Sequence, residues 1–559
     1  MGCTSSTTAN TDPSKIHKSD MGSRRGIGHT ERVGNRSRKG IGSTERMGRM
    51  SKTAAATGRP SPQAAPGLDE EEADDYVPEL DDEGIMTDGE VARRTSCSAH
   101  SRSVELAAGR GGGKDPIKVR YAFWTQRGYY PDDPSKANQD SYSITHNFAG
   151  IEGDSLFAVY DGHGRFGHDC ANFAKRQLPK IQAKHVRAER IKKHKADLAA
   201  KAKANPGQGK PKGAFNPKLW PMLARDRYEA VVRRSLLECN RAMRRDDKVD
   251  DTLSGTTVIS ASFHDGRLTI ANIGDSRAVL GVHFEKESVL AKASGEEEKE
   301  EISENAAAIE RERAELVSTI EGLDVEDGKL LALPLSQDQT PYRPDERERV
   351  KLCGARVMTV DQIEGLEPIH EDWGMRSGED IDVLGDPPRI WRQEEDFPGT
   401  AFTRSIGDTV AEDLGVTAEP EMVSLDISKN CKMLILASDG VFEFLTNQQV
   451  VDICSGCSDP LEACRKVVHQ AYKQWLHYEI RTDDITIIVM FLECNIDPEG
   501  GEYTSTVDLL SRATKQGQKP MKNKPLNNGE KSAGERSNSM YGKMNADAIA
   551  EALSADDAT

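Results

Sequence analysis

The tetrapeptide Asp161-Gly162-His163-Gly164 directly follows the apolar run Leu156-Phe-Ala-Val-Tyr160. An apolar run of this length that is bounded by glycine predicts a buried strand followed by a tight loop. Taken alone, an aspartate at such a position is most often a turn or cap residue. The tetrapeptide gains its weight from the recurrence of the same pattern elsewhere in the chain.

Four more aspartates lie beside apolar, strand-like runs. They are Asp140 before Ser141–Ile144, Asp275 after Leu268–Ile273, Asp439 two residues after Met433–Ala437, and Asp483 before Ile485–Val489. We expect the edge of a sheet to gather them. Clustered carboxylates repel one another unless cations neutralise them. Hard oxygen ligands suit Mg²⁺ or Mn²⁺, and two such ions about 3.5–4 Å apart can activate a bridging water and clamp a phosphoryl group.

The wider pattern predicts an α+β domain with antiparallel sheets, because strands and helices both occur without regular β-α-β alternation. The predicted strands are Val119–Trp124, Ser155–Tyr160, Thr256–Phe263, Arg267–Ile273, Met433–Ala437 and Asp484–Leu492. The predicted helices are His168–Leu178, Trp220–Arg244, Pro344–Leu352, Asn447–Ile453 and Pro460–Trp475.

Composition divides the chain into three parts. Residues 1–115 are predicted to be a disordered arm, basic and then acidic, because they are polar, rich in glycine and serine, and poor in aromatics. Residues 116–495 form the predicted domain, and 496–559 a mostly disordered tail. Two insertions interrupt the domain, at about 180–218 and 285–333.

The insertion 285–333 carries an apolar stripe. Ile302, Ile309, Leu316 and Leu323 recur every seven residues, which predicts an amphipathic helix. That helix either lies on its own domain or binds a partner, as in a coiled coil.

Charge, apolar runs and cysteine spacing argue against a nucleic-acid-binding, membrane-spanning or disulfide-rich protein. The net charge of −17 argues against nucleic-acid binding by the molecule as a whole. The sequence contains no apolar run of about 18 residues that could span a bilayer. Its ten cysteines have no framework spacing, which indicates reduced thiols in a cytosolic compartment.

An ordered set of motifs resembles the PPM family, the type 2C metal-dependent protein serine/threonine phosphatases. The motifs are Ala137-Asn-Gln-Asp140, Val159-Tyr-Asp-Gly-His-Gly164, Ser254-Gly-Thr-Thr257, Gly274-Asp-Ser-Arg277, Leu335-Ser-Gln-Asp338, Phe402-Thr-Arg-Ser-Ile-Gly-Asp408, Ala437-Ser-Asp-Gly440 and Asp483-Asp-Ile-Thr486. The stretch Tyr121–Asp140 is most similar to a plant, algal or protist branch. The resemblance implies a central antiparallel β-sandwich flanked by helices, with the metal site at one end.

The resemblance also implies a dinuclear Mg²⁺ or Mn²⁺ site. Asp161 would bridge both ions, and the carbonyl of Gly162 would bind one of them. Asp439 and Asp483 would complete the shell of the other ion. Asp140 would reach the metals directly or through water.

Further roles follow from the same resemblance. Asp275 and Asp408 match positions that hold a weaker third ion, and His163 matches the general acid for the leaving serine or threonine oxygen. Metal-activated water would attack phosphorus directly, without a phospho-enzyme. The substrates would be phosphorylated proteins, and we expect the chain to act as a monomer.

Three positions depart from the family pattern. Ser135 stands where a phosphate-binding arginine is expected, so Lys136 or Arg127 would have to supply the cation for the substrate phosphate. Gln139 stands where animal members often carry glutamate. Asp484 replaces a frequent asparagine.

The amino terminus, Met1-Gly2-Cys3-Thr-Ser-Ser6, fits an acylation pattern. We expect myristate on Gly2 and palmitate on Cys3, because two acyl chains give stable anchoring whereas one does not. Basic residues in the arm would add attraction to anionic lipid, which places the chain at the cytoplasmic face of a membrane, or in the cytoplasm if it is not acylated. Ser96, which follows Arg93-Arg94, is a candidate phosphorylation site.

Two other functions fit the sequence less well. A phosphatase-like binding module without turnover would explain Ser135 but leaves the repulsive aspartate set without a purpose. Hydrolysis of a small phosphorylated metabolite is compatible with the metal site.

Overall fold

The computed structural model describes residues 97–106, 116–204, 222–283, 329–371, 373 and 387–495. The predictions for Gly2, Cys3 and Ser96, those for the tail 496–559, and those for most of the insertion 285–333 lie outside these residues.

The first of two large sheets has six strands, all paired antiparallel. They are β1 (Cys97–Leu106), β2 (Ile117–Gln126), β9 (Arg277–His283), β10 (Leu330–Pro334), β16 (Cys431–Ala437) and β17 (Ile485–Glu493). Their order across the sheet is β1-β2-β17-β16-β9-β10. Strand β1 falls inside 1–115, the stretch predicted as a disordered arm. It is an edge strand of largely polar sequence, so hydrophobic alternation gives little sign of it.

The second large sheet has five antiparallel strands. They are β3 (Ser141–His146), β4 (Ser155–Tyr160), β7 (Val258–His264), β8 (Arg267–Ile273) and β15 (Glu421–Asp426). Their order is β15-β8-β7-β4-β3. The central strands β4 and β7 are buried along their whole length, which explains their unbroken apolar sequence.

Two small sheets complete the strands. One contains β5 (Gly162–His163), β6 (Gly255–Thr256) and β14 (Ile406–Gly407). The other contains β11 (Arg356–Met358), β12 (Arg389–Arg392) and β13 (Glu395–Thr400). The first matters for function because it brings three sequence motifs side by side.

Eight helices are present in the described residues. They are α1 (Gly167–Ala204), α2 (Arg225–Met243), α3 (Pro344–Leu352), α4 (Val360–Ile363), α5 (Thr409–Glu412), α6 (Asp439–Phe442), α7 (Asn447–Ser455) and α8 (Pro460–Tyr478). Helix α1 continues past Pro179 into the predicted insertion at 180–218. Its buried residues Leu178, Gln182, Val186 and Arg190 recur every four positions, so one face of the extension packs on the domain.

The core lies between the two large sheets, and side chains of β2 show how the layers form. Tyr121 and Phe123 point into the inter-sheet core, whereas Ala122 and Trp124 belong to the cluster that packs β2 against α7 and α8. The outer face of the five-stranded sheet is covered by α1 and α2. This arrangement of helix, sheet, sheet and helix confirms the predicted α+β sandwich. Within the described residues, no helix has the length and apolar character needed to cross a bilayer.

Candidate active site

Five of the predicted aspartates lie at strand ends, where Asp140 is buried and the other four are partly buried. Burial raises the pKa of Asp161 well above its ordinary value, and the negative charges of Asp439, Asp140, Asp483 and Asp275 raise it further. Charges affect a neighbour in this way only across short distances. The five carboxylates are therefore near enough to influence one another electrostatically, and their roles as ligands stay predictions.

The same repulsion acts on the other members. Burial, and then the charge of Asp484, raises the pKa of Asp140 to about 8. Burial and the charge of Asp338 raise the pKa of Asp275 to about 6. The pKa of Asp439 is raised by burial and then by the charge of Asp275. A buried group of carboxylates in this state is stabilised by bound cations.

Hydrogen bonds hold two of these carboxylates in place. The hydroxyl of Ser438 donates to Asp140 Oδ2 at 2.7 Å and accepts the backbone N–H of Thr486 at 3.0 Å. The phenol of Tyr130 donates to Asp483 Oδ1 at 2.7 Å. The aspartates thus have a fixed arrangement before any ion is considered.

Two other acidic clusters show what a neutralised group looks like. Asp345, Glu346 and Glu421 lie close enough to hold one ion, but Arg404 reaches Glu346 at 2.7 Å and Arg343 reaches Glu421 at 2.8 Å. The guanidinium groups already supply the positive charge.

Asp154, His264 and Asp265 form the second cluster, and Arg190 lies 3.4 Å from Asp265.

By contrast, in the part of the chain that the structure describes, no lysine or arginine forms an ion pair with Asp161, Asp439 or Asp483. These carboxylate oxygens have no lysine or arginine side chain among the described residues to neutralise them, and oxygen ligands of this kind fit Mg²⁺ or Mn²⁺.

His163 lies on β5 and pairs with Asp408. Its Nε2 atom is 2.6 Å from Asp408 Oδ2, and its ring centroid is 4.2 Å from that of Phe402. The His163 side chain keeps 22% of its surface exposed, whereas that of Asp408 keeps 2%. A buried carboxylate therefore orients a histidine that remains accessible.

Gly255 on β6 explains how this pair fits beside the small sheet. A Cβ atom at this position would collide with Asp408 Oδ2 and would lie 2.8 Å from His163 Nε2. Strand β6 lies between β5 and β14. The glycine of the motif Ser254-Gly-Thr-Thr257 therefore leaves the space that the side chains of His163 and Asp408 occupy.

The two candidates for the phosphate-binding cation have different surroundings. Arg127 directs its guanidinium to the backbone carbonyls of Lys136, Asp133 and Pro134, so it braces a loop. Lys136 holds its ammonium 3.7 Å from the ring centroid of Tyr130. Ser135, at the position of the expected arginine, donates to Asp133 Oδ1 at 2.8 Å and closes the turn.

A comparison with known families now places the chain. The model of the family described as Protein phosphatase 2C matches residues 136–320 and 327–477. The chain belongs to the protein phosphatase 2C family. This membership implies a serine/threonine protein phosphatase.

Plant relatives of the protein phosphatase 2C family are similar over most of the chain. "Probable protein phosphatase 2C 35" from Arabidopsis thaliana is 36% identical over 371 residues, which cover 66% of this chain and 83% of the relative. "Probable protein phosphatase 2C 64" from Oryza sativa subsp. japonica is 26% identical and covers 76% of this chain and 77% of the relative. Among solved structures, a serine-threonine phosphatase 2C from Toxoplasma gondii matches 70% of this chain and 99% of its own at 14% identity, with a TM-score of 0.44.

Three contributors to this phosphatase 2C site are not found by the sequence analysis. Asp484, interpreted as a minor departure, accepts the backbone N–H groups of Gly128 at 2.6 Å and Gln139 at 2.7 Å. Ser438 and Tyr130 hold carboxylates. The only sequence signal for Asp484 and Ser438 is their place next to Asp483 and Asp439, since neighbours of candidate ligands often orient them.

Proposed function

We propose that this phosphatase 2C chain is a metal-dependent protein serine/threonine phosphatase that hydrolyses phosphoserine and phosphothreonine directly. The observation that carries the proposal is the carboxylate group at Asp161, where burial and then the charges of Asp439, Asp140 and Asp483 raise the pKa of Asp161 well above its ordinary value. Such an arrangement destabilises an empty fold and gains stability when cations bind. A binding module would have no use for it.

The proposed ligand roles follow the predicted ones. Asp161 and the carbonyl of Gly162 would hold ions, together with Asp439, Asp483 and Asp140. When bound, a pair of Mg²⁺ or Mn²⁺ ions supplies activation of water for attack on phosphorus and stabilises charge on the phosphoryl oxygens. Ser438 and Tyr130 keep two of the carboxylates in orientation.

A side chain of the protein supplies the proton that the leaving group needs. His163 remains accessible and would donate its proton to the serine or threonine oxygen as the bond to phosphorus breaks. Asp408 orients the ring from 2.6 Å. Asp275 and Asp408 remain the proposed ligands of a weaker third ion.

We assign the substrate phosphate to Lys136 in preference to Arg127. The guanidinium of Arg127 already donates to three backbone carbonyls, whereas the ammonium of Lys136 rests on an aromatic face from which it can reach an anion. A lysine offers a point charge without the paired hydrogen bonds of arginine.

The proposal is tested by phosphate release from a phosphothreonine peptide at saturating Mn²⁺. We expect release that requires Mn²⁺ or Mg²⁺ and is lost in Asp161→Asn. Absence of release from the full chain with saturating metal would overturn the proposal. Faster turnover of small phosphorylated metabolites than of peptides would instead support a metabolite phosphatase.

We also propose membrane attachment through Gly2 and Cys3, on the sequence alone. Two acyl chains and the basic residues of the arm together favour a stable association with anionic membranes. Gly2→Ala should move the protein from the membrane to the soluble fraction of cells, and an unchanged membrane fraction would contradict it. Deletion of 285–333 tests in the same cells whether that insertion binds a partner.

A further inference from the structure

The segment Arg127-Gly-Tyr-Tyr130 is fastened to the turn that precedes β17. The backbone N–H of Gly128 donates to Asp484 Oδ1 at 2.6 Å, and that of Tyr129 donates to Thr482 Oγ1 at 2.8 Å. The N–H of Thr482 returns a bond of 3.0 Å to the carbonyl of Tyr129. These bonds join two parts of the chain that lie more than 350 residues apart.

Gly128 allows the two backbones to touch. A Cβ atom there would lie 2.6 Å from the carbonyl carbon of Asp483 and 2.6 Å from the carbonyl oxygen of Thr482. Backbone cannot yield to such a contact as a flexible side chain can. The position of the next residues is therefore fixed relative to Asp483.

Tyr130 lies at the end of this fastened segment, with 9% of its surface exposed. Its hydroxyl donates to Asp483 Oδ1 at 2.7 Å. Its ring lies 3.7 Å, measured to the centroid, from Nζ of Lys136. One side chain thus contacts both a proposed metal ligand and the proposed phosphate-binding cation.

We infer that Tyr130 is a positioning residue that acts on both halves of the site, orienting Asp483 through its hydroxyl and Lys136 through its ring. The inference rests on the proposed function. Nothing in the sequence pattern or in the family resemblance assigns a role to this tyrosine.

The hydroxyl has a clear task. A carboxylate that holds a metal has a second oxygen and a free rotation, and a hydrogen bond from a neighbour fixes both. Removing such a neighbour typically weakens metal binding by about tenfold or more. Asp483 Oδ1 accepts two hydrogen bonds, one from the backbone N–H of Asp484 at 2.8 Å and one from the Tyr130 hydroxyl at 2.7 Å, and only the second comes from a side chain.

The ring has a different task. A lysine ammonium on a flexible stem loses conformational freedom when it binds a phosphate, which weakens it relative to arginine. An aromatic face attracts the ammonium and holds it in place before the phosphate binds. Arg127 adds to this by bonding the carbonyl of Lys136 itself. Tyr130 and Arg127 together position Lys136 and so compensate for the absence of the expected arginine at position 135.

The two tasks are separable by substitution in the full-length protein. Tyr130→Phe removes the hydroxyl and keeps the ring, whereas Tyr130→Leu removes both. By calorimetric titration with Mn²⁺, both variants should bind the ion about tenfold more weakly than the wild type. In steady-state assays at saturating Mn²⁺, Tyr130→Phe should keep the KM for a phosphothreonine peptide, and Tyr130→Leu should raise it about threefold or more.

Lys136 provides the second half of the test. Lys136→Met should raise the peptide KM about tenfold and leave Mn²⁺ affinity unchanged. In the Tyr130→Leu background the same change should have a smaller effect, because the ring acts through the lysine. Fully additive effects on KM would overturn the part played by the ring.

The neighbouring Tyr129 is the matched control, because its side chain packs on the cluster between the six-stranded sheet and its helices. Tyr129→Phe should match the wild type in Mn²⁺ affinity and in KM. If Tyr130→Phe binds Mn²⁺ as tightly as the wild type, the part played by the hydroxyl is wrong. If the wild type releases no phosphate at saturating Mn²⁺, the proposed function fails, while the calorimetric comparison still decides whether Tyr130 orients Asp483.

Discussion

His163 Nε2 lies 2.6 Å from Asp408 Oδ2, although 245 residues separate them in the chain. The contact forms in the small sheet in which β5, β6 and β14 lie side by side. Asp408 is itself held in the left-handed backbone region, with φ at 52°, and its N–H donates to the carbonyl of Ser254 at 2.9 Å. A carboxylate fixed in this way can orient the imidazole ring of His163, the proposed general acid.

The role of His163 should depend on the leaving group. A serine or threonine oxygen needs a proton as it leaves, whereas p-nitrophenolate is a much weaker base and does not. We expect His163→Ala to lower kcat about 100-fold for a phosphothreonine peptide and by less than about tenfold for p-nitrophenyl phosphate. His168→Ala, a change at a partly exposed histidine on α1, is the control. Equal losses on both substrates would argue for a structural role.

Gly255 tests the placement of the same pair. Gly255→Ala should push Asp408 away from His163, because the new methyl group would collide with the carboxylate. We expect kcat for the peptide to fall by up to about 100-fold, since misplacement of a catalytic group by about 1 Å can cost that much. Far-ultraviolet circular dichroism should show a folded protein, and wild-type kcat in that protein would contradict the proposed placement.

The aspartates that we propose as metal ligands can be identified in the sequence because each lies beside a strand whose apolar run is visible locally. Antiparallel pairing of β16 with β17 puts Asp439 and Asp483 at the same end of the six-stranded sheet, whereas Asp161 follows a strand of the other sheet and reaches them only through the way the two sheets face each other. The sandwich itself follows from the resemblance, and the structure and the family match confirm it. The ligand roles of these residues stay predictions.

The contacts around Tyr130 could not be predicted, because they depend on the register between two distant segments. Nothing local tells that Asp484 accepts backbone N–H groups of Gly128 and Gln139. The predicted helix His168–Leu178 is shorter than α1 for a different reason. Pro179 lacks a backbone donor and normally marks a helix end, but burial of Gln182 and Val186 on the domain outweighs that cost.

Glu346 gives a prediction for pH. Burial opposes its ionisation, but hydrogen bonds from Arg404 and Arg349 outweigh this and lower the pKa of Glu346 from 4.5 to about 2. The ion pairs therefore add stability above pH 4.5, and the gain is lost as the pH falls toward 2. We expect Glu346→Gln to reduce the free energy of unfolding at pH 7 by about 3–5 kcal/mol. The difference from wild type should nearly vanish near pH 2.

Urea denaturation of both proteins at several pH values measures this difference. A penalty for Glu346→Gln that stays constant from pH 7 to pH 2 would show that the charge of Glu346 does not matter. The matched change is Glu395→Gln, at a half-exposed glutamate whose pair with Arg392 lies at the surface. It should cost less than about 1 kcal/mol at either pH.

Asp161 should influence stability in opposite directions with and without metal. In the metal-free protein, burial and then the charges of Asp439 and Asp140 oppose the ionisation of Asp161, so Asp161→Asn relieves this cost and should raise the melting temperature. Added Mn²⁺ should raise the melting temperature of the wild type by several degrees, because a ligand that binds only the folded state stabilises it. It should raise that of Asp161→Asn much less, since this variant lacks the carboxylate that we propose as a ligand of both ions. Melting curves in EDTA and in Mn²⁺ give all four values. A wild type that is insensitive to Mn²⁺ would contradict the proposed metal binding, and an Asp161→Asn variant that is less stable in EDTA would contradict the repulsion among the carboxylates.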